Sequence, residues 1–195
     1  MVDLTSGLWA KFLVSRFLMK VIETQVEGVK LIEPNVFGDQ RGFFLETFQK
    51  SRYKELLGID VEFVQDNHSR SARGVLRGLH FQTAKPQGKL VRVVRGEVYD
   101  VVVDIRPESP TFKKWVGVYL SEENKNQLWV PPGLAHGFVV VSDSADFEYK
   151  CTDYYDPKNE GCLIWNDADI GVEWPIENPL LSAKDQLGKR FSALF

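Results

Sequence analysis

Residues 89–105 read KLVRVVRGEVYDVVVDI, two β-branched runs that meet at the single glycine Gly96. Branching at Cβ suits a pleated surface better than a helix, and a glycine between two such runs marks a hairpin. The pattern recurs in KWVGVYL (114–120), in two strands within NQLWVPPGLAHGFVVVS (126–142) parted by Pro-Pro-Gly, and in DFEYKCTDYY (146–155). VKLIEPNVF (29–37) reads as a further strand, GDQRG (38–42) as a turn and FFLETF (43–48) as a short strand. Helical signals are few: KSRYKELLG (50–58), with Gly58 as its C-cap, and a stretch around 182–188. Many short strands with closely spaced turns predict an all-β barrel or sandwich with a few short helices, not an alternating α/β fold.

The bulk numbers exclude several classes. A chain of 195 residues, 44% hydrophobic and 26% charged, suits one ordinary globular domain. Its net charge of -3 lacks the basic excess of a nucleic-acid binder. Cys151 and Cys162 stand outside any CxxC or CxxH frame and read as reduced thiols. GLWAKFLVSRFLMKV (7–21) has Trp9, Leu13 and Phe17 at helical spacing, but Lys11 and Arg16 interrupt it, so it neither spans a bilayer nor forms a signal peptide. Residues 1–18 are read as an extension before Met19, and 19–195 as a single domain. The expected location is the cytoplasm, with no membrane partner.

The chain has three histidines: His68, His80 and His136. His80 sits in RGLHFQ (77–82), followed two positions on by Gln82 rather than a second metal-binding imidazole. Iron in such a barrel wants two histidines and a carboxylate, and the lysine at 89 would oppose a cation. A histidine, a lysine, a tyrosine and nearby acids instead permit proton abstraction next to a carbonyl. In EVYDVVVDI, Asp100, Val102 and Asp104 share one face by the period of two. That face is either a polar interior or solvent. Strict alternation also puts Arg77 opposite His80, unless a bulge at Gly78 restores a common face.

Pro131-x-Gly133-x-x-His136 is similar to the second motif of the cupin barrels. Seven segments in order resemble the dTDP-4-dehydrorhamnose 3,5-epimerase family: DQRGFFLETF (39–48), FVQDNHSRS (63–71), GVLRGLHFQ (74–82), PQGKLVRVVRGEVYDVVVDIR (86–106), PPGLAHGF (131–138), YKCTDYYDPKNEG (149–161) and LLSAKD (180–185). The resemblance implies a cupin-like jelly-roll barrel that epimerises a dTDP-linked 4-keto-6-deoxy sugar at C3 and C5 without cofactor or metal. It implies His80 as base, Asp185 as its partner, Lys89 as enolate stabiliser and Tyr149 as the opposing acid. Arg77 and Arg41 would hold the diphosphate. Glu46, Gln65, Asn67, His136, Tyr155 and Glu160 would complete the substrate pocket. It further implies a homodimer in which the segment around Arg41–Glu46 reaches the partner's site. The tail after Asp185 departs from the family pattern. Rival readings are a mono-epimerase or ketoisomerase, a metal cupin, and a non-catalytic sugar-nucleotide-binding barrel. Asp185 also reads as a first-turn helix residue after Ser182, and Tyr149 as core packed beside Phe147.

Overall fold

The structure, a computed structural model, describes residues 19–194; the extension read over residues 1–18 lies outside them. β1 (Lys20–Glu23) and β2 (Lys30–Glu33) form an antiparallel hairpin. The strand expected over 29–37 is in fact two. Pro34 has no amide proton for a ladder, and the chain restarts as β3 (Val36–Asp39), which pairs with β4 (Gly42–Leu45) in a separate two-stranded sheet. Helix α1 (Lys50–Leu57) follows. The Gln49 side chain accepts from the Arg52 amide at its start, and Gly58 closes it in the left-handed conformation, as expected.

The remaining strands are β5 (Gln65–Ala72), β6 (Leu76–Gln82), β7 (Lys89–Arg95), β8 (Glu97–Asp104), β9 (Trp115–Ser121), β10 (Gln127–Val130), β11 (Leu134–Val140), β12 (Ser144–Cys151) and β13 (Glu160–Cys162). β12 stops at Cys151, short of the expected residue 155. A short helix α2 (Ala183–Gln186) and a 3-10 turn (Phe191–Ala193) end the described chain. One sheet has the order β1-β2-β10-β7-β12-β5 and the other β13-β6-β11-β8-β9. Consecutive strands from β6 to β8 and from β10 to β12 alternate between the sheets, so β7 and β8, expected to pair as a hairpin at Gly96, instead cross from one sheet to the other. This is the crossing pattern of a cupin-like jelly roll.

Apolar clusters pack between the sheets and against the far side of each. Between the sheets lie Val91, Val102, Leu128, Phe138 and Phe147. Leu79, Val101, Val103 and Phe191 form a second cluster outside the five-stranded sheet. Ile32, Leu90 and Trp129 pack under Tyr53 and Leu57 of α1 on the far side of the other sheet. The 3-10 turn thus belongs to the core, although the tail departs from the expected pattern.

The space between the sheets is apolar at one end and polar at the other. β5 turns Gln65, Asn67, Ser69 and Ser71 inward, each less exposed than the outward Asp66, His68 and Arg70. Asp100 and Asp104 are fully buried, so the shared face of β8 is interior, not solvent. The phase problem on β6 is solved by a bulge. His136 pairs with His80 and Phe138 with Arg77, so Gly137 faces both Gly78 and Leu79. That extra residue brings Arg77 and His80 to the same cavity.

Two glycines permit the bulge. A Cβ on Gly78 would fall 2.6 Å from Gly137 Cα, and one on Gly137 would fall 2.6 Å from the Arg77 carbonyl oxygen. Gly78 also has φ +139°, outside the range of most L residues. Gly78→Ala is therefore expected to cost at least ~1–3 kcal/mol in denaturant unfolding and to lower turnover further than that instability explains. Wild-type unfolding and turnover would refute the requirement.

Candidate active site

The polar end of the sandwich encloses a cavity of ≈ 340 Å³, within the range for small-ligand sites. β6 places Arg77 and His80 in its wall, β7 places Lys89, and β11 places His136. β12 contributes Tyr149 and β5 contributes Gln65 and Asn67. Tyr155, beyond β12, and Glu160, at the start of β13, stand at its rim. His80 and Tyr149 lie on strands of opposite sheets and so face one another across the cavity.

Behind His80 stands Asp185. The His80 Nε2–H donates to Asp185 Oδ1 at 2.6 Å, which leaves Nδ1 of the neutral ring as the basic nitrogen. Ser182 Oγ donates to the other carboxylate oxygen at 2.7 Å and accepts from the Asp185 amide at 3.1 Å. Ser182 is also the N-cap of α2. Asp185 is therefore both a first-turn helix residue and the partner of His80; the two readings describe one arrangement. Burial would push the Asp185 carboxyl up, but the hydrogen bonds from His80 and Ser182 outweigh it and hold it below the ordinary carboxylate range.

A second pair lies nearby. The His136 Nε2–H donates to both oxygens of buried Asp100, at 2.9 and 3.0 Å. Burial raises the Asp100 pKa. Burial lowers that of Lys89, opposed by the fields of Cys151, Asp100 and Glu160. The Lys89 Nζ lies 5.9 Å from the centre of the Tyr149 ring. Burial raises the Tyr149 pKa, so its phenol holds its proton at neutral pH, as an acid should. Tyr149 also packs on the inner core, 6.0 Å from the Phe147 ring. It is wall and core together.

At the rim, Tyr155 donates to Glu160 Oε2, and Lys184 pairs with the same oxygen. Arg41 and Glu46 are elsewhere. Arg41, exposed on the β3–β4 turn, bonds Asp39 through its amide and Nε, and Glu46 pairs with Arg52 at 2.7 Å. Neither lines this cavity.

Among the described residues, His80, Cys162 and Asp185 bring one donor atom each within 4.8 Å of one another. They fit a metal poorly. Both Asp185 oxygens already accept hydrogen bonds, and the His80 Nε2–H is spent on one of them. Gln82 is no ligand either: its Nε2 donates to the Lys85 carbonyl at 3.0 Å and its Oε1 accepts from the Asp156 amide at 2.7 Å. Sequence reasoning weighed Gln82 only as an absent metal ligand and Ser182 only as the residue before a helical turn, and it did not single out Gln87. Their partners are backbone groups or lie behind the wall, where spacing gives no signal.

A jelly roll whose cavity sets an imidazole–carboxylate pair against a phenol and a lysine has the fold and the polar cavity of a cupin-like enzyme. The family model for dTDP-4-dehydrorhamnose 3,5-epimerase matches residues 23–193, and the chain belongs to that family. It is 58% identical to the dTDP-4-dehydrorhamnose 3,5-epimerase of Shigella flexneri over 174 residues, 89% of this chain and 96% of that one. The dTDP-6-deoxy-D-glucose-3,5-epimerase of Legionella pneumophila, solved with dTDP-4-keto-L-rhamnose, superposes with TM-score 0.89 at 55% identity, covering 91% of this chain and 95% of that one. A 3'-monoepimerase from Streptomyces bikiniensis, solved with dTDP-quinovose, gives 0.82 at 34% identity, covering 87% and 86%.

Asp185→Asn keeps the shape of the pair but removes the charge that orients the His80 ring. Turnover should fall by about 10²–10⁴-fold, the usual worth of a placed base. The carboxyl is held below its unfolded pKa, so its contribution to stability is present above that value and is lost as pH falls through the folded one. The acid limb of the wild-type stability curve should therefore be steeper than that of Asp185→Asn. Matching acid limbs would contradict the assignment.

Proposed function

We propose that the chain epimerises dTDP-4-dehydro-6-deoxy-D-glucose at C3 and C5 to dTDP-4-dehydro-L-rhamnose, the step before reduction to dTDP-L-rhamnose. The observation that carries this reading is the His80–Asp185 pair on one sheet facing Tyr149 on the other, with Lys89 beside the phenol. His80 takes the proton from a carbon next to the C4 ketone. The C–H electrons move onto the C4 oxygen as an enolate, which the Lys89 ammonium stabilises. As the carbonyl re-forms, the carbon takes a proton from Tyr149 on the opposite face, and the centre is inverted. Exchange with water then restores the histidine and the phenol. The same groups serve C5 and C3 in turn. The chemistry runs without metal, a reading supported by the lysine at position 89, the hydrogen-bonded Asp185 oxygens and the spent carboxamide of Gln82.

Arg77 binds the diphosphate, and Gln65, Asn67, Tyr155, Glu160 and His136 line the sugar and nucleotide pocket. Arg41 and Glu46 act in the partner of a homodimer. The β3–β4 hairpin supports this: its Phe43 and Phe44 are 62% and 69% exposed, a face that suits contact with another surface. The two unpaired cysteines support a reducing cytoplasm. No described helix is long and apolar enough to cross a membrane.

The test is turnover of dTDP-4-dehydro-6-deoxy-D-glucose in chelator, coupled to a 4-keto reductase and read by NMR. Formation of dTDP-L-rhamnose is expected, with His80→Ala lower by about 10²-fold or more. A product inverted at one centre would make the chain a mono-epimerase. Full activity in His80→Ala would overturn the mechanism.

A further inference from the structure

Three glutamines reach the same four-residue segment from three different places. The Gln65 Oε1, on β5, accepts from the Tyr155 amide at 2.9 Å. The Gln82 Oε1, at the end of β6, accepts from the Asp156 amide at 2.7 Å. The Gln87 Nε2, in the loop before β7, donates to the Asp153 carbonyl at 2.7 Å. All three side chains line the cavity, yet each directs a carboxamide to backbone rather than to open space. Gln82 is only 8% exposed and has both ends engaged, the second on the Lys85 carbonyl at 3.0 Å. Residues 153–156 follow the last ladder residue of β12 and sit in no strand, so these bonds replace the pairing that a sheet would supply. The segment carries Tyr155, whose hydroxyl bonds Glu160 at the rim.

We propose that Gln82 and Gln87 are positioning residues that clamp residues 153–156 over the cavity mouth and so set where Tyr155 meets the substrate. A buried carboxamide with both ends bonded to backbone is costly to misplace, because truncation leaves the amide and carbonyl it served without partners. Gln65 shares the clamp through the Tyr155 amide. A clamp of this kind acts on binding, not on the proton transfers that His80 and Tyr149 carry out. It predicts a change in KM larger than the change in kcat.

The experiment has two arms. Amide hydrogen exchange of the substrate-free protein is compared for wild type, Gln82→Leu, Gln82→Glu and Gln87→Leu. Kinetics are then measured for the same four proteins. This second arm rests on the epimerase reading; the first does not. Gln82→Leu and Gln87→Leu should each speed exchange across 153–156 by about tenfold or more, the factor for one lost hydrogen bond of typical net strength. Protection in β7 and β11 should be unchanged. KM should rise several-fold more than kcat falls. Gln82→Glu keeps the acceptor for the Asp156 amide and should recover most of the protection there. Wild-type exchange over 153–156 in both leucine variants would overturn the clamp. So would a fall in kcat with KM unchanged, which would place these glutamines on the reacting atoms. If Gln82→Leu does not fold, Gln87→Leu decides alone, because its side chain is only partly buried.

Discussion

The site depends on one close backbone approach. Where β6 passes β11, Gly78 and Gly137 leave no room for a Cβ on either strand. That contact lets β6 carry an extra residue against its neighbour, and the extra residue turns Arg77 to the side that His80 already faces. Without it, a regular strand would send the guanidinium to the outer cluster, where Leu79 and Phe81 pack. The cation and the base would then lie on opposite faces of the sheet.

The barrel tolerates carboxylates in its interior because they are held by hydrogen-bonding partners. Asp185 holds His80 and Ser182, and Asp100 holds His136 with both oxygens. Removing one member of such a pair leaves an uncompensated buried charge. Lys89 differs: burial weakens its hold on its proton, and only the fields of its neighbours oppose this. An ammonium held in that way responds strongly to a negative charge that forms beside it. An enolate oxygen is such a charge.

The parts of this arrangement that follow period-two alternation were legible in the sequence. The strands on either side of Gly96 and of Pro-Pro-Gly and the shared face of Asp100, Val102 and Asp104 all appear where alternation puts them, but the pair around Gly96 crosses from one sheet to the other instead of forming the expected hairpin. β5 was not legible as a strand. QDNHSRSA has no apolar stripe, because its inward residues face the cavity rather than a core, and only its ladder with β12 defines it. Pro34 split one expected strand, and the run after Cys151 left the sheet for the glutamines. Asp185 is 105 residues from His80, so no spacing rule links them; the resemblance to a known family supplied that pairing. The glutamine contacts with 153–156 had no signal at all, since their partners are backbone groups of a loop.

The central claim is that base and acid act from opposite faces of the sugar. Tyr149→Phe in D₂O tests it most directly, with substrate and product followed by NMR. If His80 alone abstracts the proton, this variant should still wash deuterium into the substrate next to the ketone, while inversion falls by about 10²-fold or more. Inversion at the wild-type rate would contradict the account, because the second face would then be served by some other group.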